Sequence, residues 1–374
     1  MDPSPEPRAR SIRVLAIGGG TGLSMLLRGL KHYVARRRQP NQHRLPIADL
    51  SAMVTVTDDG GSSGRLRREY RVLPPGDIRN CLVALSQDEA LLSRLFQYRF
   101  PAGHRSLGGH SFGNLFLTAL TNVTGDFSEA VRLSGQVLAI RGHIYPSTPQ
   151  NVTLEAELES GRHISGETRI SASRGRIRRV FLIPRRAKPV PEVLEAIRKA
   201  DLILIGPGSL YTSIIPNLLV DGVAAAICRS KATRIYIANL MTQPGETQGY
   251  SVADHIRAIY QHTNLDLLDW AIVNRAVVSP GSLRRYRRWG AEPVAPSVVE
   301  LERLGLRVLA GNFLLQDHIV RHDTARLARA ILRHFAVPVA DVEEAPIRPR
   351  RVNESTSDRG PISVVRGTGV ASGK

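Results

Sequence analysis

Cysteine is scarce in this chain, which has two, Cys81 and Cys228, among 374 residues. They lie far apart, and neither has a second cysteine or a histidine at the spacing of a zinc site. This excludes a disulfide-stabilised scaffold and a cysteine-based metal centre. Both residues fall in apolar stretches, so we expect two buried, reduced thiols.

Aromatic residues and long apolar runs are also rare. Phenylalanine, tryptophan and tyrosine make up 5% of the chain, which argues against a stacking surface for single-stranded nucleic acid. No apolar run is long enough to cross a bilayer, and residues 1–8 lack the apolar core of a signal peptide. We therefore expect a cytoplasmic protein without membrane insertion.

Acidic residues are outnumbered by basic ones. The 33 aspartates and glutamates stand against 51 lysines and arginines, which gives a formal net charge of +18. An excess of this size permits nucleic acid, anionic lipid headgroups or phosphorylated small molecules as partners. No nucleic-acid-binding motif accompanies the charge. A generally basic surface is the simpler interpretation, and we expect no nucleic-acid partner.

The order of the apolar segments predicts the fold. A buried strand at Ile12–Ile17 leads through glycines into a helix at Leu23–Leu30, and a second strand follows at Ser51–Thr57. This alternation predicts a doubly wound, mainly parallel α/β sheet of the Rossmann-like three-layer type. Around Ser160-Gly161 polar and apolar residues alternate instead, which predicts an antiparallel β insertion at about residues 151–183.

Composition also predicts the domain boundaries. We expect one α/β domain at residues 12–340, which contains the β insertion. Residues 1–11 are rich in proline and arginine, and residues 341–374 in proline, arginine, serine and glycine, without apolar periodicity. Segments of this kind cannot bury a core, so we expect both tails to be disordered.

Two glycine-bearing turns that follow predicted strands are candidates for anion binding. The first lacks both the strict Gly-x-Gly-x-x-Gly spacing and the lysine of a P-loop. Backbone N–H groups at such turns can bind a phosphate, although a tight turn without a ligand is the alternative at each. Two of them on one sheet suit a diphosphate, or a phosphate and a sugar. The residues concerned are Gly18, Gly19, Gly20, Thr21 and Gly22 in the first turn and Gly206, Gly208 and Ser209 in the second.

A pair of carboxylates, Asp58 and Asp59, ends the second predicted strand. Ligands of open α/β sheets bind at this edge, and one of the two side chains is expected to point into the crevice. It would hold Mg²⁺ or accept a hydrogen bond from a sugar hydroxyl, and a solvated turn is the alternative. The glycines and serines of Gly60–Gly64 then predict a long flexible loop.

Two further motifs lie nearby in the sequence. Pro74–Asn80 predicts a rigid turn with Asp77 capping a helix, whose first turn places Arg79 and Asn80 within reach of a phosphate or a base. Gly109–Gly113 matches the Gly-x-Ser-x-Gly elbow of hydrolases, but a loop precedes it where the elbow requires a strand. We therefore interpret Ser111 as the N-cap of a helix at Asn114.

Taken together, these motifs resemble those of the YvcK family of gluconeogenesis factors, within the CofD-like superfamily. The resemblance implies a doubly wound α/β core in a cytoplasmic bacterial protein. Such proteins support cell shape and envelope precursor supply during gluconeogenic growth, and they bind UDP-sugars, notably UDP-N-acetylglucosamine. The matching segments run from Ile12 to Phe335 and include Gly18–Gly22, Val54–Arg67, Pro74–Asn80, Gly109–Asn114, Ile205–Asn217, Met241–Thr247 and Arg321–Thr324.

The resemblance also implies roles for single residues. Tyr286 and Arg321 match the family's UDP-sugar-binding positions, and the Asp58-Asp59 turn matches the aspartates that hold Mg²⁺ in the CofD phospholactyl transferases. Two functions therefore stay open: a non-catalytic nucleotide-sugar sensor, and a Mg²⁺-dependent transferase that uses a nucleotide-diphosphate donor. Mg²⁺ is the one cofactor considered. A regulatory protein partner and a homo-oligomer are also left open.

Overall fold

A seven-stranded sheet forms the centre of the protein. The computed structural model describes residues 11–35, 45–87, 91–103, 106–173, 175–317 and 319–336. Of the two predicted tails, at 1–11 and 341–374, only Ser11 lies within the described residues.

The helices and strands follow one another in the order expected for a doubly wound fold. In the first half they are β1 Ile12–Gly18, α1 Gly20–Leu30, β2 Ile47–Val54, α2 Gly61–Tyr70, α3 Gly76–Leu85, α4 Leu91–Gln97, α5 Phe112–Thr124, α6 Phe127–Val137, β3 His143–Pro146, β4 Thr153–Leu158, β5 His163–Ser165, α7 Glu167–Ser171 and β6 Ile177–Ile183. In the second half they are α8 Pro191–Lys199, β7 Leu202–Ile205, α9 Ile215–Leu218, α10 Val223–Arg229, β8 Thr233–Ile237, α11 Val252–Thr263, β9 Trp270–Asn274, α12 Pro280–Arg288, α13 Val298–Arg303, β10 Arg307–Gly311, β11 Leu314–Gln316, β12 Val320–His322 and α14 Thr324–Phe335. A 3-10 turn at Lys31–Tyr33 and a π-helical turn at Leu210–Ile214 adjoin α1 and α9.

The strand order of the sheet is β10-β9-β8-β7-β1-β2-β3, and each neighbouring pair is parallel. The prediction of a doubly wound parallel sheet is therefore confirmed. Strand β1 lies between β2 and β7, so the chain reverses its direction across the sheet at this strand. In such sheets the crevice at the carboxyl ends of the strands on either side of the reversal is where ligands bind.

Burial explains why the central strands read as continuous apolar runs. All four residues of β7 are buried, and so are five consecutive residues of β1 from Val14 to Gly18. Helices on both faces of a parallel sheet exclude water from both sides of each strand. Helix α1 covers the sheet with an apolar stripe that consists of Leu23, Leu26, Leu27 and Leu30.

The predicted antiparallel insertion is also confirmed, as a sheet in the order β5-β4-β6. The hairpin β11–β12 was not predicted, because each of its strands has only three residues. Cys81 is buried as expected, whereas Cys228 is partly exposed.

The prediction of a long flexible loop at Gly60–Gly64 is wrong. Helix α2 begins at Gly61, and Gly64 N donates to Gly60 O over 2.9 Å. A side chain at Gly64 would collide with the carbonyl of Asp59. The glycine here permits a close approach of backbone to backbone and does not provide flexibility.

Among the described residues, no single helix has the length and apolarity needed to cross a bilayer. One pair of consecutive helices, Leu210–Leu218 and Val223–Arg229, reaches that length and apolarity only in combination, and a 72° bend separates its two members.

Candidate functional site

The two glycine turns meet at the strand-order reversal. The turn after β1 and the turn after β7 pack so closely that a side chain at Gly22 would collide with the Pro207 carbonyl. A Cβ at Gly208 would lie 3.5 Å from Gly19 O. Asn217 fixes the arrangement, because its Nδ2 donates to Gly18 O over 2.9 Å. The structure therefore brings the two predicted anion-binding turns to one place on the carboxyl edge of the sheet.

The first turn already has an acidic partner within the protein. Gly20 N donates to Asp77 Oδ2 over 2.7 Å. Asp77 was predicted to cap its own helix, α3, but the N-cap of α3 is Pro75. Asp77 accepts its hydrogen bond from the start of α1 instead, so this prediction is wrong about which helix is capped. Burial raises the pKa of Asp77 to about 6, with a further rise from Asp58, although the Gly20 N–H opposes it.

Asp58 and Asp59 point to different neighbours, as expected for adjacent residues where a strand has ended. Asp58 Oδ1 accepts from Gly60 N over 2.9 Å, and its Oδ2 faces the start of α3 at Gly76. Asp59 instead accepts from the backbone N–H and the hydroxyl of Thr168, over 2.9 and 2.7 Å. Asp58 therefore lies on the side of Asp77, while Asp59 attaches the β insertion to the sheet edge.

Glu167 is a carboxylate of this edge that the sequence interpretation missed. Its Oε2 accepts from Thr57 Oγ1 over 3.1 Å. Desolvation raises its pKa well above the ordinary value, and Asp58, Asp77 and Glu246 raise it further. No local signal could have found it, because Glu167 lies in the β insertion, more than a hundred residues beyond Asp58. We call Asp58, Asp77, Glu167 and Glu246 the acidic cluster.

The acidic cluster fits a divalent cation by charge and by its oxygen donors. Burial is the main cause of the raised pKa of Glu167, and repulsion from the other three carboxylates adds to it; a bound cation would relieve that repulsion. A preformed coordination sphere is not present, because no three His, Cys, Asp or Glu side chains of the described residues are placed to share a metal ion. Mg²⁺ commonly completes its octahedral shell with water and substrate phosphates, so a site of this kind would form only together with a ligand.

The second turn is held by amide side chains. Asn239, directly beyond β8, accepts from Gly208 N over 3.0 Å and donates to Gly208 O over 2.7 Å. Gln243 Nε2 donates to Ser209 Oγ over 2.6 Å. Gln243 Oε1 and Glu246 Oε2 are buried without a hydrogen-bond partner among the described residues. The π-helical turn that follows Ser209 is an irregularity of the kind that often marks functional sites.

Arg79, Asn80 and Asn114 lie together on the flank formed by α3 and α5. Arg79 Nη2 donates to Asn80 Oδ1 over 2.7 Å, and burial lowers the pKa of the Arg79 guanidinium. Asn114 Nδ2 donates to Ser62 Oγ over 3.1 Å, and Ser62 in turn contacts His110 Nδ1 over 2.9 Å. Asn114 Oδ1 has no hydrogen-bond partner among the described residues. The sequence interpretation did not identify His110. Ser111 caps α5, as predicted.

Tyr286 and Arg321 are joined through the β11–β12 hairpin. Tyr286 Oη accepts from Val320 N over 3.0 Å. Arg321 is half-exposed and pairs with Asp317 over 2.6 Å, on the hairpin itself. The neighbouring His322 instead contacts Ala238, the residue before Asn239, and burial lowers its pKa to about 4. Among the residues described, no hydrogen bond or ion pair links Arg321 to the glycine turns.

A small pocket lies beside Asn239, between the carboxyl ends of β8 and β9. Its volume is about 240 Å³, and it is lined mainly by apolar side chains, with the amides of Asn239 and Asn274 and the charged Arg275. Leu283 of α12 forms one wall. The pocket therefore continues the crevice from the second glycine turn toward Tyr286.

Known proteins match the chain over most of its length. The family model of 2-phospho-L-lactate transferase CofD matches residues 14–314, a range that includes Tyr286 and ends before Arg321. A protein of Bacillus subtilis named gluconeogenesis factor is 47% identical over 321 residues, which are 86% of this chain and 97% of the relative. Its counterpart in Halalkalibacterium halodurans is 46% identical over 320 residues, 85% of this chain and 95% of the relative.

A solved structure agrees with these matches. The crystal structure of a UPF0052-family protein from Bacillus halodurans has a TM-score of 0.80 and 45% sequence identity to this chain. The match covers 86% of this chain and 99% of the crystallised chain.

Proposed function

Because the chain belongs to the family of CofD-like gluconeogenesis factors, we propose that it is a regulator that binds a nucleotide sugar of the UDP-N-acetylglucosamine type. In this proposal it acts in the bacterial cytoplasm and supports cell shape and envelope precursor supply during gluconeogenic growth. A regulator needs a target, so a protein partner is part of the proposal. The supporting observation is the meeting of two glycine turns where the strand order reverses.

The diphosphate is assigned to the start of α1. The N–H groups of Gly20 and Gly208 already have acceptors, in Asp77 and Asn239. Those of Thr21 and Gly22, in the first turn of α1, have no acceptor within the helix. Thr21 is exposed, and the space beyond Gly20 is open. A phosphate at this position would also gain from the positive end of the helix dipole.

The rest of the ligand is assigned to either side of the diphosphate. Asp58 and Ser209 are partly exposed oxygen groups that suit the hydroxyls of a sugar or a ribose. The pocket beside Asn239 and Asn274 is assigned to the base. Each amide already donates and accepts one backbone hydrogen bond, and each keeps one N–H and one oxygen lone pair for a ligand. Arg321 would reach the uridine–diphosphate end after it leaves Asp317.

The test is calorimetric titration of the full chain with UDP-N-acetylglucosamine. Losing a charge-assisted hydrogen bond costs about 1.5–3 kcal/mol, so Arg321→Ala should weaken binding roughly ten-fold or more. The matched control is Arg132→Ala, which removes an exposed arginine that is paired with Glu129 on α6. Equal affinity of Arg321→Ala and the wild type would remove Arg321 from the site. Failure of the wild type to bind any nucleotide sugar would overturn the proposal.

The acidic cluster favours a second candidate function, a Mg²⁺-dependent transferase with a nucleotide-diphosphate donor. A bare diphosphate close to Asp58 and Asp77 would be repelled unless a cation or a proton intervened. This function predicts Mg²⁺-dependent release of a nucleotide monophosphate, which Asp58→Asn should abolish. Nucleotide-sugar binding without any turnover would leave the regulator as the better account.

A further inference from the structure

Helix α12 presents a stripe of arginines to solvent. Arg284, Arg287 and Arg288 are exposed, and their i, i+3, i+4 spacing places them on one face. The opposite face carries Leu283 and Tyr286, which pack on the apolar cluster of Leu240, Met241, Val278, Leu314 and Val320. The helix is therefore held with its arginine face turned outward.

These arginines differ from several other exposed arginines of the protein. Arg132, Arg178 and Arg198 each pair with a glutamate of the same or a neighbouring element. None of the three arginines in the α12 stripe forms an ion pair with any other described residue. Like charges at this spacing destabilise a helix. An anionic surface outside the protein would turn this repulsion into attraction.

Exposed apolar side chains lie at both ends of α12. Val277, before α12, is 84% exposed, Trp289, after it, is 51% exposed, and Ile319 of the hairpin is 60% exposed. Hydrogen bonds attach the hairpin to the helix, because Ser279 N donates to Gln316 Oε1 over 2.6 Å and Gln316 Nε2 donates to Val277 O over 3.2 Å. The Tyr286 and Trp289 rings lie 5.3 Å apart. We call the three arginines with Val277, Trp289 and Ile319 the α12 surface.

We propose that the α12 surface docks the protein onto an anionic lipid bilayer. Basic side chains are attracted to anionic headgroups, and tryptophan and aliphatic side chains bury at the level of the headgroups. The exposed indole of Trp289 beside the arginines suits the headgroup level of an anionic bilayer better than a helix of a partner protein. The apolar projections also have no use on a nucleic-acid backbone. The docking is peripheral, through the side chains of the α12 surface.

Vesicle co-sedimentation of the full chain tests this inference, with pure phosphatidylcholine compared against a mixture with phosphatidylglycerol. Binding is expected to the anionic vesicles only, and to weaken as salt is added. The triple variant Arg284→Gln, Arg287→Gln, Arg288→Gln should bind on the order of 100-fold more weakly. The matched control is Arg162→Gln, Arg169→Gln, Arg179→Gln, which changes the net charge equally at exposed arginines of the β insertion.

Tryptophan fluorescence provides a second readout. Vesicle binding should shift the emission to shorter wavelength, because Trp289 leaves water, and the shift should be absent in Trp289→Phe. Thermal unfolding of each variant checks that it is folded. No binding of the wild type to anionic vesicles at low salt would overturn the inference. An equal loss of vesicle binding in the two triple variants would also overturn it. So would binding of the wild type to an immobilised acidic protein without any binding to anionic vesicles. The outcome does not depend on nucleotide-sugar binding, which is measured separately.

Discussion

The two ends of the central sheet differ in whether their charged side chains form ion pairs. At the amino ends, Arg13 and Arg234, near the starts of β1 and β8, each have a fitted carboxylate. Arg13 of β1 binds Asp201 through its backbone N–H over 2.8 Å and through two guanidinium nitrogens, each at 3.0 Å. Arg234 of β8 binds Asp269 in the same way. These pairs join neighbouring strands and compensate the charge of both arginines.

At the carboxyl ends, the acidic cluster collects carboxylates without a cationic partner. None of its four members forms an ion pair with a described residue, and their hydrogen bonds come from neutral groups, such as Gly20 N and Thr57 Oγ1. Uncompensated charge raises the free energy of the folded state. The comparison teaches that the paired charges at the amino ends stabilise the fold. The unpaired carboxylates at the carboxyl ends destabilise it, and a ligand or a cation can remove that destabilisation.

The largest expected effect concerns the contact between the two glycine turns. Gly22→Ala places a methyl group against the Pro207 carbonyl, where neither backbone can move freely. Overpacking of this kind costs about 1–3 kcal/mol, and we expect nucleotide-sugar binding to be lost with it. Gly281→Ala in α12 is the control, because its new methyl group meets no atom within 4 Å. Urea unfolding would measure both variants, and an unchanged midpoint for Gly22→Ala would show that the turns are not tightly packed.

Asp77 provides the sharpest test of the comparison. Its folded-state pKa, about 6, lies above its unfolded value, so the folded state binds the proton more tightly. Its stabilising contribution is therefore present at low pH and is lost as pH rises through about 6. Asp77→Asn should keep the hydrogen bond from Gly20 N and stabilise the protein by about 1–2 kcal/mol above pH 7. Unfolding free energies at pH 5 and pH 8 would measure this, and a destabilised variant at pH 8 would contradict it.

Asp77 also shows how far sequence carries the prediction of this site. The strands β1 and β7 were predicted because burial on both faces leaves only apolar residues, and strand ends in a parallel sheet share one edge. Gly18–Gly22 and Gly206–Ser209 could therefore be placed together in advance. The partner of Gly20 could not, because Asp77 appeared to cap its own helix. Glu167 and His322 reach the edge from the β insertion and the hairpin, whose docking depends on tertiary packing. His322 belongs to the Arg321–Thr324 motif, but the motif does not show where in the fold it lies.

An effect of opposite sign is expected at the amino ends. Asp201→Asn removes the charge of a fitted pair that is about one-third exposed, so we expect a loss of about 1 kcal/mol at pH 7. Asp201→Asn and Asp77→Asn make the same chemical change at opposite ends of the sheet, so their unfolding free energies should be measured together. If both variants changed the unfolding free energy in the same direction at pH 8, the distinction between the two ends would be wrong.

The smallest effect separates the two adjacent aspartates. Asp59 accepts two hydrogen bonds from Thr168 at an exposed position, so Asp59→Ala should lower the unfolding free energy by about 0.5–1 kcal/mol, because the β insertion loses an attachment. Asp58→Ala removes one hydrogen bond from Gly60 N and also relieves repulsion from Asp77 and Glu167. These two effects oppose each other, so the unfolding free energy should hardly change.

Ligand affinity, measured with and without Mg²⁺, should show the opposite ranking: Asp58→Ala should weaken binding more than Asp59→Ala. If Asp59→Ala alone changed the Mg²⁺ dependence, the residue facing the ligand would be Asp59, and the carboxylate that we assign to the β insertion would belong to the site.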